Sequence, residues 1–553
     1  MQYPNTAYDV VIVGAGPTGL SVAAELLRGK IAPDSILIID LNEQPVIHTK
    51  ASALWPRSLE LLNQYPGVVE SLSDYGVKVS NVAFRTDGDR LLNQFPIASK
   101  LNSTFSHGIL CEQWFTEYAI SKYLGQNGLT VTRSARLLSF AYDDDFDDEY
   151  PVETVIRVGS GDFVVRTKYL IGCDGAKSSV RKLAGIDFEG ETLSGTFYSA
   201  HFSVEKSIPM LDETLSVWMR SDGLGFVTPM PNNTYMIGLD LKGEQCEPFV
   251  SKILLDLYGN HSLLDIPDDA GQRLIEERIY KGLKINKMIW KSHFRINERV
   301  ASRYCDGMRD RDLFLKMLHE KTDSCHAHTP LGGQGQNTGI QDAINIGWKL
   351  AMVLKNNCTA LILDTYEAER SVIGQHLVAF TSTSQKTSSS RSPMVQFIRN
   401  TALSLSASRE FFVSLISQTI GETIYHYRNS ALSIERWELI KRGSMKSKSK
   451  RIYSGDRVSC FMLPKEVGTM FFNATCGFKL VLFAGKKSYV RESDFTNDEL
   501  RQFAEKVRDG TMNAVSDALV IDDSKDKVYQ AFGAREQCLF LIRPDEIVGL
   551  VTL

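Results

Sequence analysis

Residues 9–20 read DVVIVGAGPTGL and place a glycine-rich turn directly after a continuous apolar run. Apolar runs of this kind are typical of parallel strands that are buried on both faces of a sheet. Gly14, Gly16 and Gly19 have the spacing G-x-G-x-x-G, in which glycine permits a tight turn, a close approach of backbone to a pyrophosphate, and close packing of helix on strand. The stretch therefore predicts a dinucleotide-binding βαβ unit.

The helix after this turn begins at Pro17 and Thr18, so its free N–H groups and positive dipole end would face the phosphates. A second apolar strand ends in Asp40, about 20 residues beyond the turn, where an acid holds a ribose hydroxyl. An acid at this point favours an adenosine ribose without a 2′-phosphate. The nucleotide is therefore predicted to be FAD or NAD rather than NADP.

Composition narrows the class of protein. A chain of 553 residues is expected to form two to four domains, and its 62 basic and 66 acidic residues give no reason to expect nucleic acid or an anionic membrane as a partner. Nine cysteines, an odd number without a Cys-x-x-Cys pair, are typical of free thiols in a reducing compartment. No signal-peptide pattern and no apolar stretch of roughly 20 residues stand in the sequence. A cytoplasmic protein without stable membrane insertion is predicted.

Two later motifs separate FAD from NAD. Residues 169–181 read YLIGCDGAKSSVR, and residues 323–350 read DSCHAHTPLGGQGQNTGIQDAINIGWKL. The first resembles the "DG" signature and the second the "GD" signature of the aromatic-hydroxylase flavoproteins, in the same order and at similar spacing. Over about residues 8 to 385 the chain resembles the class A, single-component flavin monooxygenases, which include phenol hydroxylase and the polyketide hydroxylases. The resemblance implies FAD as the cofactor.

The resemblance also implies which residues contact FAD. Lys50 and Arg57 match the segment near the pyrophosphate and the flavin edge, and Gln113 opens the segment along the ribityl chain. Asp174 is the acid of the second motif. Asp323 would accept a hydrogen bond from a ribityl hydroxyl.

The glycine-rich turn of the third motif is expected to lie against the flavin ring. Gly333 and Gly335 would let the backbone approach the ring without a side-chain clash. The helix that opens near Gln336 and Asn337 would aim N–H groups at the pyrimidine edge, where its dipole favours the anionic reduced form. The Pro330 carbonyl would touch the substrate side.

An α/β fold follows from these assignments: a Rossmann-like FAD-binding domain interleaved with a β-sheet substrate domain, plus a small thioredoxin-like α/β C-terminal domain. The predicted FAD-binding domain is 1–385, with the substrate sheet inserted at about 80–100 and 186–300. A helical connection (386–440) and a basic, serine-rich linker (441–451) lead to the C-terminal domain (452–553). The resemblance of this last domain lacks the redox cysteines, and an unrelated α/β tail stays open.

A metal site is the alternative reading of His326 and His328, which with Asp323 offer three potential ligands. The flavoprotein interpretation explains every neighbour of these residues and the metal interpretation explains none. No metal is predicted.

The sequence departs from the family at two places. Before Asp323 the family has a buried strand ending in Gly-Asp, whereas here Thr322 replaces the glycine and residues 319–322 are polar. Residues 313–315 are the candidates for the missing strand, and buried unpaired groups here would weaken FAD binding. Ser52 stands where phenol hydroxylase has an acid that helps to deprotonate the phenol, so no catalytic base is assigned.

The activity implied by the resemblance is that of an NAD(P)H- and O₂-using monooxygenase. It would insert one oxygen atom into a phenolic or polyketide-type small molecule, by ring hydroxylation in secondary metabolism. Baeyer–Villiger oxygenation and epoxidation need the same cofactors and stay open, as does a non-catalytic homologue with impaired FAD binding. The expected partner is a small aromatic substrate, and a homodimer is compatible with the resemblance.

Overall fold

The computed structural model describes residues 6–45, 51–97, 103–142, 149–221, 223–241, 268–280, 283–306, 315–317, 325–327, 332–406, 410–435, 452–459, 468, 476–486, 495–510, 514–522, 526–534 and 536–552. The strands are β1 (Ala7–Val13), β2 (Ile36–Ile39), β3 (Ala53–Leu54), β4 (Val77–Val79), β5 (Asn81–Arg85), β6 (Leu91–Pro96), β7 (Gly108–Leu110), β8 (Val131–Thr132), β9 (Ala135–Tyr142), β10 (Val152–Val158), β11 (Gly161–Gly172), β12 (Phe188–Val204), β13 (Thr214–Arg220), β14 (Gly223–Met230), β15 (Thr234–Asp240), β16 (Ile285–Ala301), β17 (Cys305–Asp306), β18 (Leu315–Met317), β19 (His326–Ala327), β20 (Ile434–Glu435), β21 (Phe478–Phe483), β22 (Val515–Ile521), β23 (Cys538–Ile542) and β24 (Val548–Thr552). The helices are α1 (Pro17–Arg28), α2 (Pro56–Leu62), α3 (Val68–Tyr75), α4 (Gln113–Gln126), α5 (Ser179–Leu183), α6 (Asp268–Arg278), α7 (Gly335–Leu354), α8 (Asp364–Ser388), α9 (Pro393–Ser406), α10 (Glu410–Ile420), α11 (Asn497–Gly510) and α12 (Asp526–Phe532).

The first sheet has β1 near its centre, because this strand is apolar enough to be covered on both faces. Its order is β17-β18-β11-β1-β2-β8, with β9 and β10 attached beside β11. β1 runs parallel to both β2 and β11. The βαβ unit predicted from residues 9–40 is therefore present, and the Rossmann-like α/β class is confirmed.

The lead-in to the third motif forms a strand. β18 pairs in parallel with the end of β11, so that Leu315 stands beside Leu170 and Met317 beside Gly172. The prediction placed this strand at residues 313–315, of which the structure describes Leu315. The polar residues 319–322 lie outside the described residues.

The second sheet draws its strands from three separate parts of the chain, the last of which is the short strand β19. Its order is β19-β16-β12-β15-β14-β13-β5-β6, so residues 81–96 form its far edge and residues 188–301 most of its body. One face packs on α6 through Ile275 and Ile279. The interleaved β-sheet domain expected from the sequence is thus observed, while its exact boundaries stay predictions.

A third sheet, of order β20-β24-β23-β21-β22, is formed by the last hundred residues together with β20, which lies before them at Ile434–Glu435. β21 is parallel to β22 and antiparallel to β23, which continues into a hairpin with β24. These strands, with helices α11 and α12, form an α/β unit, whereas the thioredoxin-like assignment stays a prediction. The predicted linker, residues 441–451, lies outside the described residues.

The turn between β23 and β24 joins this C-terminal unit to the FAD-binding domain through buried charges. Arg543 makes two bonds to Glu369 on α8, at 2.6 and 2.9 Å, and a third to Asp545 at 2.7 Å. The side chains of Arg543 and Glu369 are 0% and 1% exposed. Although burial raises the pKa of Glu369, the charges of Arg543 and Lys349 hold it well below its usual range. We call these residues, together with Glu546, its partner Arg57, and Glu60, which also accepts a bond from Arg57, the C-terminal charge cluster.

Arg543→Met is expected to destabilise the protein by about 3–5 kcal/mol, because it leaves buried carboxylates without their cation. The change would be measured as a lower midpoint in urea unfolding followed by tryptophan fluorescence, which Trp348 beside Arg543 helps to report. Arg501→Met is the matched control, since its pair with Asp498 is largely exposed and should not shift the midpoint. Equal midpoints for the two variants would contradict the role given to the cluster.

Candidate functional site

The glycine turn leaves no room for side chains. Gly14 has a φ of +105°, and a Cβ there would lie 2.2 Å from the carbonyl oxygen of Cys173. A Cβ on Gly19 would lie 2.0 Å from the carbonyl oxygen of Gly14. Gly16 is the N-cap residue of α1, with Pro17 in the first helical position and Thr18 buried behind it. The turn therefore has the close strand–helix packing that its spacing predicts.

Asp40 lies beside this turn, as predicted from its distance along the chain. Its carboxylate accepts hydrogen bonds from the backbone N–H groups of Ala15 and Asn42, both at 2.8 Å. Arg133 is 3.5 Å from the same carboxylate. These bonds hold the acid at the mouth of the turn, and its contact with a ribose stays a prediction.

The acid of the second motif closes the turn from the other side. Asp174 accepts bonds from the Ser178 hydroxyl and the Ser179 N–H, both at 2.5 Å, and so anchors the start of α5. Burial raises the pKa of Asp174, against the effect of these hydrogen bonds. Because the preceding carbonyl of Cys173 touches Gly14, the backbone of this motif lies at the predicted nucleotide site. A direct contact of the Asp174 side chain with FAD stays a prediction.

The third motif forms a second glycine turn at the start of α7. Gly332 and Gly333 have φ values of +89° and +62°, which favour glycine. Asn337 fixes the turn: its side-chain amide donates to the carbonyls of Ala53 and Gly333, both at 2.8 Å. Trp55 completes the link, since its backbone N–H donates to Asn337 and its indole N–H to Gly332, again at 2.8 Å.

The start of α7 has unused hydrogen-bonding capacity that fits a flavin. Gly335, Gln336 and Asn337 occupy its first turn, and no described side chain caps it, so three backbone N–H groups are available. Two buried side-chain oxygens, Oε1 of Gln336 and Oε1 of Gln113, have no hydrogen-bond partner among the residues that the structure describes. Gln113 is the first residue of α4, and its side-chain amide nitrogen donates a hydrogen bond to Glu117 at 2.5 Å. FAD carries hydroxyl and ring N–H donors for such acceptors, so the residues present fit this group.

Arg57, one of the predicted FAD-contacting residues, makes buried bonds to the C-terminal unit. Its guanidinium donates to Glu546 at 2.7 Å and to the carbonyl of Asp545 at 2.6 Å, and its side chain is 6% exposed. Arg57 therefore belongs to the C-terminal charge cluster, and its contact with the pyrophosphate or the flavin edge stays a prediction. Sequence reasoning missed this because the partner carboxylate lies almost 500 positions further along the chain.

Three other predicted residues, Lys50, Asp323 and Pro330, lie outside the described residues, so their contacts stay predictions. The same holds for His328 and hence for the alternative metal site. Across the parts of the chain that the structure describes, no group of three or more His, Cys, Asp or Glu residues could hold a metal ion.

The second sheet turns an apolar face toward Trp55. Val217, Met219, Leu224 and Met236 pack in one cluster with this indole, which in turn holds Gly332. Leu403 of α9 and Ile420 of α10 also pack against this cluster, so these two helices contribute to its apolar surroundings. The sequence predicted a substrate sheet over about residues 186–300, but it did not tell which face of that sheet meets the second glycine turn.

Known proteins are similar to this chain in both sequence and fold. A family model described as FAD binding domain matches residues 7–381. The aromatic compound monooxygenase YhjG of Bacillus subtilis is 30% identical over 68% of this chain and 68% of its own length. The 12-dehydrotetracycline 5-monooxygenase/anhydrotetracycline 6-monooxygenase of Streptomyces rimosus is 29% identical over 66% of each chain. The matched part spans about two thirds of the length of these relatives.

The solved structures agree over nearly the whole length. OxyS anhydrotetracycline hydroxylase from Streptomyces rimosus has a TM-score of 0.70 at 23% identity, covering 99% of this chain and 96% of its own. The flavin-dependent monooxygenase PieE, solved with FAD and substrate, has a TM-score of 0.69 at 18% identity, with coverages of 99% and 96%. Among the described residues, no helix is long and apolar enough to cross a membrane. Together with the two glycine turns, these matches identify the chain as a member of the FAD-dependent aromatic and polyketide monooxygenases of class A.

Proposed function

We propose that the protein uses NAD(P)H and O₂ to hydroxylate an aromatic small molecule of phenolic or polyketide type. The observation that carries this proposal is the position of the apolar sheet face opposite the second glycine turn. Trp55 connects the two, because its indole packs against the sheet face and donates a hydrogen bond to Gly332 of the turn. A substrate between them would lie beside the flavin ring and away from water.

The chain's own residues would prepare this space. Bound FAD supplies electron transfer from NAD(P)H and the activation of O₂. The indole of Trp55, 1% exposed, keeps the turn at Gly332 in place, and Met219, Leu224 and Met236 exclude water from the substrate side. Exclusion of water is needed because reduced oxygen otherwise escapes as hydrogen peroxide.

The relatives support an aromatic substrate. They include a pentachlorophenol 4-monooxygenase and an anhydrotetracycline monooxygenase. Baeyer–Villiger oxygenation and epoxidation stay as alternatives on the same scaffold. A non-catalytic homologue is the second class, motivated by the altered lead-in before Asp323, although β18 still pairs beside β11 in the expected place.

Purified protein is expected to be yellow and to oxidise NADPH or NADH faster when an electron-rich phenol is present. Mass spectrometry of a panel of phenols should give a product one oxygen atom heavier, and its NMR spectrum separates a ring hydroxyl from a lactone or an epoxide. Protein that stays colourless and takes up no added FAD would establish the non-catalytic alternative instead.

Gly14→Ala is expected to raise the dissociation constant for FAD at least about tenfold, because positive φ and the contact with Cys173 together displace the turn. FAD content after dialysis measures this, and circular dichroism shows whether the variant is folded. Gly88→Ala is the matched control, since Gly88 also has a positive φ, +69°, but no atom within 4 Å of a Cβ. A folded Gly14→Ala protein with the same FAD content as this control would refute the assignment of the turn.

A further inference from the structure

His201 lies on the face of the second sheet that packs against Trp55 and the second glycine turn. It stands on β12 directly opposite Met236 of β15 and Trp290 of β16, and directly opposed residues point to the same face of a sheet. Met236 belongs to the apolar cluster that contains Trp55. The neighbours of His201 in sequence, Ala200 and Phe202, pack instead on the other face with α6, as strand alternation requires.

One hydroxyl fixes the tautomer of this imidazole. The Thr234 hydroxyl donates its hydrogen to the carbonyl of Pro231 at 2.8 Å, so its oxygen can only accept from the ring. His201 Nε2 is 2.8 Å from that oxygen and therefore carries the proton. Nδ1 is then an unprotonated acceptor, and no residue of the described structure donates to it.

The imidazole is neutral at physiological pH. Burial lowers the pKa of His201, and the charge of Glu112, the acid that faces it from the segment leading into α4, opposes this effect without reversing it. The residue is 6% exposed, so the imidazole lies largely out of bulk water. A neutral imidazole with one fixed N–H and one free lone pair is a directed proton acceptor.

We propose that Nδ1 of His201 accepts the proton of a substrate hydroxyl and thereby selects hydroxylated rings. This inference rests on the proposed function. It assigns the proton acceptor that the reaction needs, because Ser52 stands where the family has an acid. On proton transfer the substrate O–H bond breaks, an N–H bond forms on Nδ1, and the electron pair stays on the oxygen. The ring becomes richer in electrons and His201 becomes a cation, which returns the proton when product leaves.

Two substitutions separate the acceptor from the packing role. His201→Gln keeps an amide N–H at the position of Nε2, and so the bond to Thr234, but has no acceptor at the position of Nδ1. His201→Asn places a carbonyl oxygen near Nδ1 and does not titrate. Tyr235→Phe is the control on the opposite face, where the tyrosine hydroxyl accepts from the N–H of Ile208.

The test compares the binding of 2-naphthol with that of its methyl ether to the purified protein by equilibrium dialysis. The wild type should prefer the hydroxyl compound by roughly tenfold or more. Because burial lowers the pKa of His201, this preference should fall only at acidic pH, below the range in which an unburied histidine titrates, where Nδ1 gains a proton. The Gln variant should lose the preference at every pH. The Asn variant should keep it without the pH dependence, and Tyr235→Phe should match the wild type.

An unchanged preference in the Gln variant, or a wild type that binds both compounds equally or neither, overturns the proposal. Dialysis needs no turnover, so a failure of the monooxygenase reaction leaves this test intact. Conversely, hydroxylation that persists at the wild-type rate in the Gln variant would retain the proposed function and remove His201 from it.

Discussion

The buried charges of the turn between β23 and β24 are the constraint on which the arrangement of the units depends. Arg543 reaches from the C-terminal sheet into the FAD-binding domain, where Glu369 also binds Lys349 of α7 at 2.9 Å. An isolated buried charge costs several kcal/mol, so neither unit can release the other without leaving a carboxylate or a guanidinium unpaired. The C-terminal unit is thus part of the folded body, whatever its ancestry.

The same constraint acts on the second glycine turn, at Gly332 and Gly333, through one short helix. Arg57, in the first turn of α2, is bound to Glu546 of the C-terminal unit, while Trp55, the N-cap residue of the same helix, is bound to Gly332 and Asn337. The two ends of this link are two residues apart. A shift of the turn between β23 and β24 would therefore move Trp55, which is bonded to the second glycine turn. The C-terminal unit thus contributes to the geometry of that turn.

Local patterns predicted the elements well, and distant partners were beyond them. The turn at Gly14 and the start of α7 carry their glycine spacing within a few residues, so this spacing was sufficient to place both, although it did not show their contacts with Cys173, Ala53 and Trp55. Arg57 and His201 are different. The role of Arg57 depends on Glu546, and that of His201 on the register between β12 and β15, which alternation within a single strand does not determine. The small strand β18 is intermediate: its apolar residues were visible, but its polar surroundings obscured where it begins.

The altered lead-in before Asp323 can be judged from what β11 requires. β11 has β1 on one side and β18 on the other, and Gly172, at its carboxyl end, is opposite Val13 and Met317. Ligands of open α/β sheets bind outside the carboxyl ends of such strands. A nucleotide site here therefore requires three neighbouring strands, β1, β11 and β18, that end level with one another. Three paired residues of β18 meet this need. The family's longer apolar strand can therefore be shortened without displacing the site, which favours a flavin-binding enzyme over a non-catalytic homologue.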